Sequence, residues 1–583
     1  MHWKKILGIC TAGLLSLPGA VSAGEKLVFV PLDNRPVSLA YTADSFRKAG
    51  YQVVTPPAEL LASDRQQGKP EQLEKWLEQE IPGSIGTVVS ADTLIYGGLT
   101  GSRTHELPAG VLAKRTQSLL NLKKKFPLVP VYAFATIMRS PRYSAAPAEP
   151  AYYAQYGPQI FRWGELRDRQ ELQLLNKKET QELEQLEKSL PQEVQTDVLS
   201  RRSKNLRVLE QLAQGIPEGR LDYLVIGRDD SAPFSEAHRD ARAFFLTTGD
   251  VPSYKLRSFS GTDELGMLML NRAVNRSKGV TPLVYAYYTG GTGGRTVPSY
   301  EDGTIRQSYR QHVLAAGGDP ALLDKNADLV LGIYTPVNGI TAGADTDANT
   351  SRLDDRQESF LAKTRRYVDA GRNVGLADIN VSNGGSNGLV KHLLTARQGK
   401  TPLGWELGSY AGWNTAGNSL GYALGQGLLR KRLSDQNRKD LLTVRYLDDW
   451  LYQSKVRQEV RQQLIYPKGY PDGALTDQET LEAQQFIAKA MPEAGKKYFV
   501  PQVWQAYTFT LPWHRPLKSM SSQRQNRKHV SKRRENHDII GRSYGTAGGN
   551  GKKTTGPARP PGNSLDGISH HQHHCHGTEE TGV

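Results

Sequence analysis

Cysteine is nearly missing. Cys10 and Cys575 are the only two in 583 residues, which excludes a disulfide framework and any cysteine-based zinc or redox centre. Long apolar runs are missing as well. After residue 21 no stretch approaches the roughly 20 apolar residues that a membrane helix needs, so membrane insertion is not expected of the mature chain. The glycine run at 290–294 has neither P-loop nor dinucleotide-fingerprint spacing, and no cofactor is implied. No internal repeat is visible.

What is present begins at the N-terminus. Lys4 and Lys5 precede an uncharged apolar stretch, residues 6–21, and Val21-Ser22-Ala23 offers small residues for cleavage. This three-part pattern predicts a secretory signal at 1–23 and an exported, periplasmic or extracellular protein. A single α/β domain, with room for two subdomains, is expected over 24–514.

The last segment, 515–583, differs. It holds 12 Lys/Arg against 5 Asp/Glu, seven of the 13 histidines, and Tyr544 as its sole aromatic. Such composition cannot bury a core. The abrupt loss of pattern reads as a frameshift product. A natural disordered tail and a metal-binding histidine tract at 570–576 are the alternatives. The basic run 524–534 is not read as a nucleic-acid site, and no function is assigned to the tail.

Between these ends, short apolar runs alternate with helical stretches. Candidate strands are 26–32, 52–56, 86–91, 129–137, 222–228, 253–259, 282–288, 328–334, 373–378 and 403–409. Most are continuously apolar, as in Leu27-Val28-Phe29-Val30, which suits a parallel sheet covered on both faces. The fold class is therefore α/β, built of repeated strand–helix units. A TIM-barrel-like closure is favoured over an open doubly wound sheet. Segment 159–215, rich in Glu, Gln, Lys, Arg and Leu, reads as a helical insertion.

In either architecture chemistry gathers at the C-terminal ends of strands. Polar residues concentrate there: Asp33-Asn34-Arg35, Asp92, Arg139, Arg228-Asp229-Asp230, Asp263-Glu264, and Trp413-Asn414 followed by Asn418. Each acid taken alone is explained by helix capping. Paired acids beside arginines are not, and they suit a hydroxyl-rich ligand. Two carboxylates flanking a glycosidic bond can act as acid and as base or nucleophile. Asp263, Glu264, Asp229 and Asp230 are the catalytic candidates. Asp33, Asn34, Arg35, Asp92, Arg139, Arg228, Trp413, Asn414 and Asn418 are the substrate-binding candidates. Gly261-Thr262-Asp263-Glu264 resembles the Asp-Glu motif of β-hexosaminidase-type glycosidases, which implies Glu264 as general acid. Trp405, Trp413 and Trp163 are candidates for stacking on sugar faces.

Two further motifs carry less. Gly417-Asn418-Ser419-Leu420-Gly421 matches the nucleophile elbow, and would need Asp448 or Asp449 with His514. Asp229, Asp230 and His238 form the one compact set with metal-ligand chemistry, without a diagnostic spacing.

The ordered motifs Asp33-Asn34-Arg35-Pro36, Asp92-Thr93 with Tyr96-Gly97-Gly98, residues 227–233, residues 261–266, residues 410–418, residues 445–450 and Leu511-Pro512-Trp513 resemble the bacterial domain-of-unknown-function family numbered 4127, over about residues 26–514. The resemblance implies no activity and transfers no catalytic residue. The residues themselves predict an exported glycoside hydrolase acting on an envelope or amino-sugar glycan. A non-catalytic carbohydrate-binding protein and a metal-dependent phosphate or acyl hydrolase are the alternatives.

Overall fold

A computed structural model describes residues 24–396, 399–516 and 520–523. The expected signal at 1–23 and nearly all of the expected tail lie outside these residues. The strands are β1 (Lys26–Val30), β2 (Gln52–Val54), β3 (Gly86–Ser90), β4 (Val131–Ile137), β5 (Tyr223–Arg228), β6 (Leu256–Ser260), β7 (Leu283–Tyr288), β8 (Asp319–Pro320), β9 (Leu329–Tyr334), β10 (Ala342–Gly343), β11 (Val374–Asp378), β12 (Val381–Ser382), β13 (Ser409–Ala411), β14 (Tyr507–Thr510) and β15 (Met520–Gln523). Nine of the ten predicted strands stand within a few residues of their expected bounds. The tenth is displaced, because residues 403–405 form a short helical turn and the strand begins only at Ser409.

The strands make two main sheets, β2-β1-β3-β4-β5-β6 and β8-β7-β9-β11-β13, with every neighbouring pair parallel. The α/β class and the repeated parallel units are as the sequence predicts. The hydrogen-bonded order is linear in each sheet, which is the order of a doubly wound arrangement. Counting strands within each sheet, both begin 2-1-3-4-5. The topology thus repeats although the sequence shows no repeat, because pairing order constrains where apolar runs fall and not which residues fill them.

Apolar runs form these strands because both faces are covered. Leu27, Val28, Phe29 and Val30 are all fully buried. One core joins β1, β3, β4 and β5 to β9, β11 and β13 through the helices Leu265–Ser277, Ile305–Ala315 and Ala416–Leu428. The outer face of the first sheet packs on Pro70–Glu80, Ala109–Lys125 and Glu236–Thr247. The second sheet has its own outer cluster. Two sheets therefore share a central helix layer, and the carboxyl ends of both can open onto one cleft.

The helical insertion is present as Tyr153–Glu171, Lys177–Ser189 and Gln192–Gln214. It carries a small core of its own around Ile160, Trp163, Leu183 and Val194. No described helix is long and apolar enough to cross a membrane.

Candidate active site

In doubly wound sheets ligands bind where the strand order reverses. In the first sheet that point lies between β1 and β3, and in the second between β7 and β9. Two cavities sit at these places. One, of about 280 Å3, is lined by Asp33, Arg35, Arg103, Arg139, Arg228, Asp229, Asp230, Asp263, Glu301, Trp413, Asn414, Trp513 and Arg515 among others. The other, of about 520 Å3, is lined by Pro141, Phe161, Pro233, Val297, Pro298 and Ile340 with a few polar groups. Tyr143, Asp230, Tyr300 and Glu301 line both, so the cavities are two compartments of one cleft.

The acids at the strand ends around the cleft are not helix caps. Hydroxyls do that work: Ser90, Ser235, Thr304 and Thr415 accept the first backbone N–H groups of their helices. The carboxylates are left to pair with guanidiniums. Arg35 bridges Asp33 and Asp263, with Nη2 2.7 Å from each. Asn414 Nδ2 donates to Asp263 at 3.2 Å. The loops after β1, β6 and β13 are thereby tied together, across both sheets. Burial favours a neutral Arg35, but Asp263 and Asp33 outweigh it and hold its pKa above the usual value.

On the facing side Arg139 makes a bidentate pair with Glu149, at 2.5 and 2.8 Å, and reaches Asp230 at 2.9 Å. Arg103 pairs with Asp229 and stands 3.5 Å from Glu149. Arg228 holds Asp302 through contacts of 2.5 and 2.7 Å; desolvation pushes Asp302 up, but the hydrogen bonds and charge of Arg228 outweigh it and keep its pKa below the ordinary carboxylate range.

Two lining carboxyls are pushed the other way. Burial, and then the charge of Asp229, raise the pKa of Asp230. Its backbone is left-handed, with φ of +37°, a conformation that a non-glycine residue keeps only when its surroundings impose it. Burial raises Glu301 to about 7, with Ser308 Oγ donating to it at 2.7 Å.

The expected site residues divide. Asp33, Arg35, Arg139, Arg228, Asp229, Asp230, Asp263, Trp413 and Asn414 line the cleft. Asn34, Asp92, Asn418 and Glu264 support it from behind. Asn34 Oδ1 accepts from Trp513 Nε1 at 2.5 Å, and Asn418 Nδ2 donates to the Trp413 carbonyl at 2.9 Å. Asp92 is buried beneath, accepts from Thr136 at 2.9 Å and is raised to about 7 by that burial.

Glu264 is fully buried and accepts from the Thr262 amide at 3.0 Å and faces His312 Nε2 at 3.1 Å. It sits at the start of a helix and not on the cleft wall. The general-acid role implied by the Asp-Glu resemblance does not fit that position; Glu264 holds the Thr262 amide and His312.

Other expectations are also redirected. Ser419 lies buried in the first turn of its helix, donating to the Trp413 carbonyl at 3.3 Å, and the ring of His514 is engaged by Asp64 and Asp477. No nucleophile elbow is assembled. His238 pairs with Asp168 at 2.7 Å and lines a different cavity, so it does not join Asp229 and Asp230 in one ligand set. Trp163 and Trp405 belong to cores. Arg103, Glu149, Tyr300, Glu301, Trp513 and Arg515 escaped the sequence reading. Only Trp513 carried a signal, as part of Leu511-Pro512-Trp513.

The family comparison matches residues 27–518 to the family described as a protein of unknown function, DUF4127. The chain belongs to that family. The match confirms the resemblance read from the motifs and runs past Arg515. No curated protein and no solved structure matches the chain.

Proposed function

We propose that this DUF4127 protein is an exported glycoside hydrolase acting on an envelope glycan. The observation that carries the reading is Asp230. Burial and the neighbouring Asp229 raise its pKa, and it stands at the junction of two compartments. A general acid in glycoside hydrolysis needs that environment, and its partner needs the opposite one. Asp263, held by Arg35 and Asn414, is the partner.

In the reaction, Asp230 gives its proton to the glycosidic oxygen as the bond to the anomeric carbon breaks. As base, Asp263 takes a proton from the water that attacks that carbon; as nucleophile it bonds to the carbon and is displaced by water, whose proton goes to the Asp230 carboxylate; in either route water supplies the new hydroxyl and the alcohol leaves. Trp413 and Trp513 form apolar parts of the cleft wall beside these groups.

The test is hydrolysis of chromogenic glycosides and peptidoglycan fragments by the full chain, its Asp230→Asn variant and its Glu264→Gln variant. Release by wild type and by Glu264→Gln, lost in Asp230→Asn, is expected. Release that vanishes only in Glu264→Gln overturns the assignment, and silence from all three folded proteins overturns the enzyme. Export is tested by sequencing the N-terminus of the mature protein, which should begin at Gly24. A second reading, carbohydrate binding without turnover, is favoured by one observation: Asp229 and Asp263 are both already engaged by arginines.

A further inference from the structure

Four of the five arginines on the polar compartment have carboxylate partners: Arg35 (Asp33), Arg103 (Asp229), Arg139 (Glu149) and Arg228 (Asp302). Arg515 faces no carboxylate within ion-pair distance among the described residues. It and Arg35 flank the same indole, 5.5 Å (Arg35) and 6.0 Å (Arg515) from the centre of the Trp513 ring. Burial, and then the charge of Arg35, lower its pKa; the more distant charge of Asp64 raises it, and Arg139 and Arg103 lower it further. A half-buried guanidinium without an ion-pair partner raises the free energy of the empty protein. A bound anion lowers it, and guanidiniums bind carboxylate, sulfate and phosphate oxygens in bidentate geometry.

We propose that the polar compartment takes an anionic sugar, one bearing a carboxylate, sulfate or phosphate, with Arg515 as the contact that selects the charge. This rests on the glycan reading above and names its substrate class. Arg35, fixed by Asp33 and Asp263, orients the sugar beside the reacting carboxyls, while Arg515 holds the anionic substituent. A neutral sugar leaves Arg515 without a counter-charge and desolvates it for no return.

The experiment is calorimetric titration of the full chain with glucose, glucuronate, glucose 6-sulfate and glucose 6-phosphate, at low and at moderate salt. The same titrations are run on Arg515→Gln and Arg515→Lys. At least one anionic sugar should bind about tenfold or more tighter than glucose, as one charged hydrogen-bonded pair provides. Which anion binds best identifies the substituent. The advantage should shrink as salt rises, vanish in Arg515→Gln and return in part in Arg515→Lys, with melting temperatures unchanged. Equal binding of glucose and the anions overturns the proposal, and so does an advantage that survives Arg515→Gln. Failure of every sugar to bind overturns it when inorganic sulfate and phosphate also leave the melting temperature unmoved. Anion-selective binding without hydrolysis removes the enzyme and keeps this site. Hydrolysis of neutral glycosides without charge preference does the reverse.

Discussion

Asp230 and Glu264 are both acids at strand ends, and the surroundings give them different work. Asp230 lines the cleft beside Asp229 and Arg139, and burial and then the charge of Asp229 raise its pKa, the direction a general acid needs. Replacing it with Asn should lower kcat by about a hundredfold or more, the usual worth of a general acid. In the wild type, kcat should fall as pH rises, with its inflection above the ordinary carboxylate range. A rate that is flat through neutral pH would sink the acid role. Glu264 is read differently because His312 Nδ1 faces the Ser308 carbonyl at 2.7 Å while Nε2 faces Glu264 at 3.1 Å. A carbonyl only accepts, so Nδ1 donates to it, and the ring's other nitrogen makes the hydrogen bond with Glu264. Losing one partner of such a buried pair costs about 3 kcal/mol. His312→Leu should therefore show a markedly lower denaturation midpoint; an unchanged midpoint would remove the pairing as a structural element.

At the scale of elements, the helix Ala416–Leu428 positions the site through its small face. Gly417, Gly421 and Gly425 recur every four residues, and a Cβ at Gly421 would come within 2.4 Å of the Glu264 side chain. The central helices approach so closely because these positions lack side chains. Gly421→Ala gains up to about 1 kcal/mol in helix propensity but overpacks the contact by about 1–3 kcal/mol. We expect net destabilisation by urea titration. Gly110→Ala, in the helix Ala109–Lys125 with nothing near its new methyl, should instead stabilise by up to about 1 kcal/mol. If both substitutions stabilise, the close helix contact is wrong.

For the whole molecule, the shared helix layer predicts one cooperative calorimetric transition for both sheets; two resolved transitions would contradict the common core. The buried acids set its pH dependence. Burial raises Asp92, Glu301 and Asp449 to about 7, and Asp378 and Asp240 to about 6. Each binds a proton more tightly folded than unfolded. Between about pH 4 and 7 the folded state therefore holds more protons, and stability declines as pH rises, by about 1.4 kcal/mol per pH unit for each group in its window. The melting temperature should be higher at pH 5 than at pH 7.5, and Asp92→Asn should flatten part of that slope.

The sequence by itself determined the local pattern. Continuous apolar runs fixed the parallel strands, the charged Leu-periodic segment fixed the helical insertion, and the motifs after β1, β5, β6 and β13 placed most of the cleft and matched the family. Those signals are short-range: they depend on spacing and on which residues adjoin a strand end. Only the tertiary structure decided the division into two sheets, because strand order is set by long-range pairing that no local pattern records. It also decided which acid faces the cleft. Asp263 and Glu264 are adjacent in the chain, yet one meets Arg35 and Asn414 while the other is sealed against His312 and Gly421. Arg103, Glu301 and Arg515 stayed hidden for the same reason. A charged residue's role follows from its burial and from the charges that meet it across the fold, and those are properties of the packed chain.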